Sequence, residues 1–166
     1  MASDIFFEIE GGPKGESTDS KFKEAIEILA VKFGGENPST IKSGSKGAGG
    51  KKCTIHKLLL TKNTDSSSAD LFQAMCQGKH WPKATLRLRK PGGGDEPLEY
   101  FTLELSTVFL DSIEFEADDN GESHELKEKL HVSFGKIQLS YTPQTESGEG
   151  GSPMTGGWNI TENAPA

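Results

Sequence analysis

Two pairs of cysteine and histidine are the residues in this chain whose types could form a metal site. Cys53 lies three residues before His56, and Cys76 lies four residues before His80. Two thiolates and two imidazoles are a common ligand set for structural zinc. Cys53 and His56 lie in a predicted strand, however, where side chains three residues apart point to opposite faces. We therefore predict that the chain has no metal site and binds no cofactor.

The run of glycine, serine and lysine over Gly44–Cys53 partly matches a phosphate-binding loop. That pattern needs a glycine five residues before Gly50 and a serine or threonine after Lys51, but Ser45 and Lys52 occupy these positions. No serine lies in a nucleophile-elbow pattern, and the four histidines have no distinctive partner nearby in the sequence. We predict no catalytic residues, which makes an enzyme the most remote class.

Composition and charge exclude further classes. The chain of 166 residues carries 18 Lys and Arg against 25 Asp and Glu, a net charge of −7. This acidic balance argues against nucleic-acid binding. No apolar run approaches the ~20 residues of a membrane-spanning helix. The first residues lack the basic and apolar regions of a secretory signal peptide. We expect neither nucleic acid nor membrane insertion.

The glycines mark the loops. Fourteen of the 20 glycines fall within residues 34–52, 91–97 and 143–157, and these stretches are almost free of aliphatic residues. The rest of the chain has an ordinary apolar content. We therefore predict one domain over residues 1–166, with a long Gly-rich loop at 34–52 and a flexible loop at 143–157. Trp158 follows the second loop and predicts that the chain returns to pack on the body.

Alternating apolar residues predict that the chain is mainly β. Thr85–Arg89 alternates, which predicts buried leucines on one face and two arginines on the other. The apolar positions are even before Gly135 and odd after it (Leu130, Val132, Phe134; Ile137, Leu139, Tyr141). Such a phase change beside a glycine predicts a β-bulge at Gly135, and a bulge suits a barrel or a strongly curved sheet.

One helix is predicted over residues 67–77. Ser67 and Asp70 have the spacing of a capping box, and Gly78 suits the position after the last turn. Cys76 falls on the apolar face of this helix, where a free cysteine usually packs as a small hydrophobic residue.

The segment from Lys21 to Phe33 has two interpretations. Its apolar spacing and its Lys, Glu and Ala content favour an amphipathic helix by a modest margin. The alternative is a strand with alternate residues on one face.

An ordered set of short motifs resembles one known family. They are Gly15-Glu16-Ser17, the Gly-rich loop over 44–50, Thr61-Lys62 before the helix, Cys76-Gln77-Gly78-Lys79-His80, the strand from Ala84 to Lys90, Tyr141-Thr142-Pro143-Gln144, and Gly157-Trp158-Asn159-Ile160. Together, from about residue 4 to 163, they resemble the Hcp family, the haemolysin-coregulated proteins of bacterial type VI secretion systems.

The resemblance implies a fold and an assembly. The fold is a small β-barrel of two packed antiparallel sheets with one flanking α-helix. The assembly is a homohexamer, a ring whose copies stack into a hollow tube. A contractile sheath propels the tube, tipped by a spike protein, out of the cell, and the lumen carries small effector proteins. Localisation would then be cytoplasmic assembly followed by secretion without a signal peptide, in a system of protein transport and virulence.

The resemblance also implies functional residues. The segment matching 24–33 is a strand lining the lumen, and we adopt this over the helix because tertiary context overrides helix propensity. Its lumen-facing residues would be Ile26, Ile28, Ala30 and Lys32. The Gly-rich loop would contact the next ring or subunit through Ser43, Gly44, Lys46, Gly47, Gly49 and Gly50. A tube subunit is the leading hypothesis, and a ring-forming effector chaperone or adaptor that does not build the tube is the alternative.

Overall fold

The computed structural model describes residues 4–40, 49–50, 52–117 and 125–166. Within these residues the chain is mainly β, with a single helix, as the sequence predicts. The strands are β1 Asp4–Ile9, β2 Ile26–Glu27, β3 Ala30–Lys32, β4 Gly35–Glu36, β5 Ser39–Thr40, β6 Gly49–Gly50, β7 Thr54–Ile55, β8 Leu58–Asn63, β9 His80–Lys90, β10 Leu98–Ala117, β11 Leu126–Tyr141, β12 Met154–Asn159 and β13 Ala164–Pro165, and the helix is α1 Ser68–Gln77.

The two longest strands, β10 and β11, form the centre of an antiparallel sheet. On the side of β10 the order continues through β9 and β1 to β2. β11 has two partners on its other side, because its first half pairs with β8 and its second half pairs with β12. β3 then pairs with β8, and β13 pairs with β12. One end of the β10–β11 pair therefore lies in a first layer with β9, β1, β2 and β12, and the other end lies in a second layer with β8 and β3.

The long strands bend where Thr107 lies opposite Gly135. In both strands the buried side chains change parity here, from Leu103 and Leu105 to Val108 and Leu110 in β10, and from Val132 and Phe134 to Ile137 in β11. Thr107 has a φ of 54°, which is rare for a β-branched residue. The two layers pack face to face, and their inward side chains form one core that also includes Leu58, Leu60 and Leu86.

The bulge predicted at Gly135 is wrong in its position. The pairing passes unshifted from Ser106 with Lys136 to Val108 with Phe134. Both strands change phase at the same point, so no extra residue is needed there. The register of this pair shifts instead between Leu110 and Ser112, which places Asp111 in the bulge.

The segment from residue 26 to 32 contains two short strands, β2 and β3, so the strand interpretation is confirmed over the helix there, but not as one continuous strand over residues 24–33. It crosses from one layer to the other. The Ile28 N–H donates to the Ile5 carbonyl at 2.9 Å, and the next N–H, that of Leu29, donates to the Thr61 carbonyl at 2.7 Å. The sheet is not closed by a continuous ladder, but this segment joins its two edges into a barrel-like fold.

Helix α1 packs against the barrel and begins within one residue of its predicted start. Leu71 and Ala74 pack into the core. Gly78 has a φ of 65°, and its N–H donates to the Met75 carbonyl, as predicted for the residue after the helix. The predicted capping box is wrong, because the Ser67 side chain makes no capping bond. The prediction for Cys76 is also wrong, since this residue is exposed.

A buried ion pair attaches the helix to the barrel. Lys62 of β8 and Glu128 of β11 are both 0% exposed, and the Lys62 Nζ lies 2.6 Å from Glu128 Oε2. The same ammonium donates to Ser68 Oγ at 3.1 Å and lies 3.0 Å from Asp65 Oδ1. Asp65 in turn accepts a hydrogen bond from the backbone of Ser67. The ammonium group thus joins two strands to the first turn of α1.

A second charge cluster surrounds Arg89, and it corrects the prediction that this residue lies on an open face. Arg89 is 5% exposed. Its guanidinium forms two hydrogen bonds with Asp19, at 2.5 and 3.2 Å, and one with Asp4 at 3.0 Å. It also lies over the rings of Phe6 and Phe22. The hydrogen bonds from Arg89 hold the pKa of Asp19 below its ordinary value.

The two predicted loops contain more structure than their composition suggests. β4 pairs with β7 and β5 pairs with β6, so the described parts of residues 34–52 form a hairpin. In the second loop, Gln144 bridges Gly150, and β12 already begins at Met154. Trp158 lies in β12 opposite Ile137, which confirms that the chain returns to pack on the body. No helix in the described ranges has the length and apolar character needed to cross a membrane.

Candidate functional site

The outward side of the second layer carries two rows of side chains that cross three strands. Lys32 of β3 lies opposite Leu59 of β8, and Leu59 lies opposite His131 of β11. Ala30, Thr61 and Lys129 form the neighbouring row in the same way. Directly opposed residues in antiparallel strands point to the same face. We call these six residues the outer face.

The structure separates the four residues predicted to face a lumen. Ala30 and Lys32 are exposed and belong to the outer face. Ile26 and Ile28 are 1% and 6% exposed and belong to the core, which corrects the prediction that all four share one open side. The reason is that residues 26–32 do not form one strand, since the chain changes partner from β1 to β8 between Ile28 and Leu29.

A cleft of about 300 Å³ opens on the outer face beside the hairpin. Its lining combines apolar and nitrogen-bearing side chains, namely Lys32, Phe33, His56, Lys57, Leu59 and His131. Phe33 and Leu59 are half-buried, and Phe33 packs against the core. The cleft therefore has an apolar floor and a basic rim, on a chain whose net charge is −7.

The bulge in β10 fixes one side of this rim. Asp111, the bulged residue, accepts a hydrogen bond from Ser133 at 2.8 Å and lies 2.9 Å from the Lys57 Nζ. On the hairpin, His56 Nε2 lies 3.8 Å from a carboxylate oxygen of Glu36. Lys32 has no carboxylate within 4 Å among the described residues. Lys32 is therefore the cation of the rim that is open to another molecule.

Sequence reasoning missed Leu59, Lys57 and the neighbourhood of His131. His131 alternates with the buried Leu130 and Val132, which places it on an outward face but says nothing about its neighbours. Which strands lie beside it depends on the pairing of β8 with both β3 and β11. That pairing brings together residues about 30, 60 and 130 positions along the chain, and no local pattern indicates it.

The hairpin formed by β4, β5, β6 and β7 is the second candidate element, and we call it the arm. Its strands pair only with one another, outside the main sheet. Gly49 and Gly50 of the predicted stacking residues lie in β6, opposite Thr40 and Ser39. Ser43, Gly44, Lys46 and Gly47 lie outside the described residues, so their role stays a prediction.

Several large hydrophobic side chains are exposed, which the sequence did not indicate. Leu29 beside the outer face is 52% exposed, and Met154 at the start of β12 is 66% exposed. Phe72 of α1 and Phe115 of β10 are also exposed and contact each other. Exposed apolar groups of this size are typical of surfaces that contact another protein.

Metal-binding and redox groups form no site in the part of the chain that is described. No three His, Cys, Asp or Glu side chains within it are grouped so as to hold a metal ion. Cys53 and Cys76 are both free thiols. The outer face and the arm are the candidate functional surfaces because of their own geometry, which suits contact with another molecule.

Comparison with known proteins identifies the family. A family model described as the type VI secretion system effector Hcp matches residues 6–141. Protein hcp1 of Pseudomonas aeruginosa is 35% identical over the whole of both chains. A solved structure of a type six secretion system protein is 26% identical, covers 99% of this chain and 100% of its own, and superposes with a TM-score of 0.92. Hcp1 from Salmonella typhimurium is 30% identical over the whole of both chains, with a TM-score of 0.80. The chain belongs to the Hcp family of type VI secretion proteins.

Proposed function

We propose that this protein is a structural subunit of the type VI secretion tube. It forms homohexameric rings, the rings stack into a hollow tube, and the tube is exported with effector proteins in its lumen. The observation that carries this proposal is the family match across residues 6–141, together with the same fold over nearly the full length of a type six secretion system protein. Its partners are the spike protein, the contractile sheath and small effectors.

The outer face is the surface we assign to the lumen. Ala30 and Lys32, the exposed half of the predicted lumen residues, lie on it in regular rows with Leu59, Thr61, Lys129 and His131. A sheet face with short, ordered rows suits the wall of a channel, because its side chains form an even surface along which a cargo can lie. Ile26 and Ile28 act behind this wall, where they support it from the core.

The arm is the element we assign to contact between successive rings. Its two short ladders, β4 with β7 and β5 with β6, are separate from the main sheet, and the second ladder includes Gly49 and Gly50 of the Gly-rich run. A contact that repeats along an axis without closing produces a tube rather than a ring. A narrow hairpin suits a weak axial contact that has to form and separate quickly.

The exposed hydrophobic side chains support association of copies. Leu29, Phe72, Phe115 and Met154 leave apolar area that a second copy could cover. Covering apolar surface contributes roughly 25 cal/mol for each Å² removed from water. We expect the stability of the ring subunit to depend on protein concentration for this reason.

Size measurement and secretion together test the proposal. Light scattering on the purified protein is expected to give six times the chain mass. Deletion of the gene in the producing cell is expected to abolish both tubes and effector export. Rings with normal tubes in the deletion strain would favour the chaperone or adaptor role instead. A monomer at micromolar concentration would contradict both roles.

A further inference from the structure

We propose that the cleft on the outer face binds an acidic segment of a cargo protein that also presents an apolar side chain. The identity of the occupant as cargo rests on the proposed tube function, but the binding chemistry follows from the cleft itself. Its basic rim favours a carboxylate, and its apolar floor favours a hydrophobic group in the same ligand.

The rim sets the charge of the ligand. Four nitrogen-bearing side chains surround the cleft, and no carboxylate of the described residues is part of its lining. Lys57 already pairs with Asp111, and His56 lies near Glu36, so these two rim side chains have acidic neighbours within the chain. Lys32 has no such partner among the described residues and is exposed. An incoming carboxylate would therefore gain most of its attraction from Lys32.

The row geometry sets the width of the ligand. Lys32 and His131 flank Leu59 on the strands either side of β8. Neighbouring strands are about 4.8 Å apart, so the backbones of these two residues are separated by roughly 10 Å. One extended peptide or one large side chain fits between them. A volume of about 300 Å³ agrees with this, because it is at the small end of ligand pockets.

The floor excludes the other obvious anions. Phe33 and Leu59 are half-buried apolar groups that a bare phosphate or a nucleic-acid backbone would leave uncovered. The chain is acidic overall, which repels a polyanion at long range but leaves a short, singly or doubly charged segment free to approach. A protein segment with alternating acidic and apolar residues meets both requirements, since an extended chain can turn its apolar side chains toward the floor while the carboxylates on its other side contact the rim.

A labelled peptide tests the inference directly. The probe is a fluorescein-labelled, C-amidated peptide that alternates glutamate with leucine and phenylalanine, and its matched control carries lysine in place of every glutamate. Fluorescence anisotropy at 0.15 M salt is expected to show binding of the acidic peptide and none of the basic one. Lys32→Glu is expected to weaken binding about tenfold, because an attractive contact becomes repulsive.

Two further variants separate the cleft from general surface charge. Lys14→Glu makes the same charge change at a side chain that is 73% exposed and pairs with Glu24, away from the cleft lining, and should leave the affinity unchanged. Leu59→Thr keeps every charge and removes apolar area from the floor, so it should also weaken binding. Urea unfolding of each variant checks that the fold is retained.

The outcomes distinguish this inference from the tube function. Equal binding of both peptides, or equal effects of Lys32→Glu and Lys14→Glu, would overturn it. Binding that appears only when rings are diluted to single subunits would overturn it as well, because a second copy would then be the occupant. Light scattering on the same samples reports the rings independently. If the protein forms rings that do not bind the acidic peptide, only the proposed binding in the cleft is refuted. If the protein is a monomer that binds the peptide, only the proposed tube function is refuted.

Discussion

Two regions of this molecule carry cations that differ in whether a carboxylate of the same chain lies beside them. Lys62 and Arg89 are buried, and each contacts two carboxylates and further groups that fix its orientation. Lys32 on the outer face is exposed and has no carboxylate near it in the described ranges. The first region holds strands and helix together, and we propose that the second binds other molecules. The difference implies that changes in the first alter stability, whereas changes in the second alter binding and assembly.

The largest effect is expected at the buried pair. Lys62→Met removes the ammonium and leaves the fully buried Glu128 without its cation, which typically costs about 3–5 kcal/mol of unfolding free energy. Urea denaturation at a fixed protein concentration measures the loss. Lys14→Met, at an exposed pair, is the control and should cost less than about 1 kcal/mol. Equal losses in the two variants would show that the buried pair is not a structural element.

The second largest effect is expected at Asp19. Asp19→Asn removes the carboxylate that Arg89 holds, and a hydrogen bond to a charged group contributes about 1–3 kcal/mol, with the lower end applying to this partly exposed side chain. The effect depends on pH. The pKa of Asp19 is lowered in the folded state, so its contribution is full above the ordinary carboxyl pKa and is lost as the pH falls through the lower, folded value.

Unfolding curves at pH 7 and at two values below pH 4 check this prediction. The difference between the parent protein and Asp19→Asn should shrink toward the acidic end. A difference that stays constant over this range would mean that the interaction of Asp19 with Arg89 does not depend on the charge of the carboxylate.

A smaller effect on stability, with a large effect on assembly, is expected in the arm. Deletion of residues 44–50 removes β6, which pairs with β5 and not with the main sheet, so the core keeps its contacts and the loss of stability should be less than about 1 kcal/mol. Hexamers should persist while stacking into tubes is impaired. Light scattering reports the hexamer, and electron microscopy reports the stacks. Tubes that form as readily from the shortened chain would remove the arm from the axial contact.

The smallest effect on stability is expected at Lys32. Lys32→Glu changes an exposed side chain outside any ion pair among the described residues, so its stability should change by less than about 0.5 kcal/mol. Rings should remain intact, while the set of effector proteins that co-purifies with them changes. Mass spectrometry of affinity-purified rings compares the two sets. An unchanged set would exclude Lys32 from cargo recognition.

Local patterns predicted the elements that depend on neighbours in the chain. The helix, the residue after it and the docking of Trp158 follow from short-range spacing, and each is confirmed. The two short strands within residues 26–32 needed the family resemblance, because the periodicity of this segment favours a helix. The patterns failed wherever a distant segment decided the outcome. Arg89 is buried because Asp4 and Asp19 lie beside it, and these residues are 85 and 70 positions away.

The candidate site was predictable only in part for the same reason. The sequence identified Lys32 and Ala30, but the two rows of the outer face to which they belong exist because β8 lies between β3 and β11. Ile26 and Ile28 were misplaced because alternation continues in the sequence where the chain changes strand partner. The bulge predicted at Gly135 is absent because the buried positions of β10 change parity at the same point, and the sequence of β11 alone does not show this.

Negative-stain electron microscopy of the purified full chain tests the central claim most directly, since rings, stacks and single subunits differ in outline. We expect six-fold rings with a central hole, some of them stacked end to end. Particles the size of a single subunit, at concentrations where light scattering also gives a monomer, would contradict it.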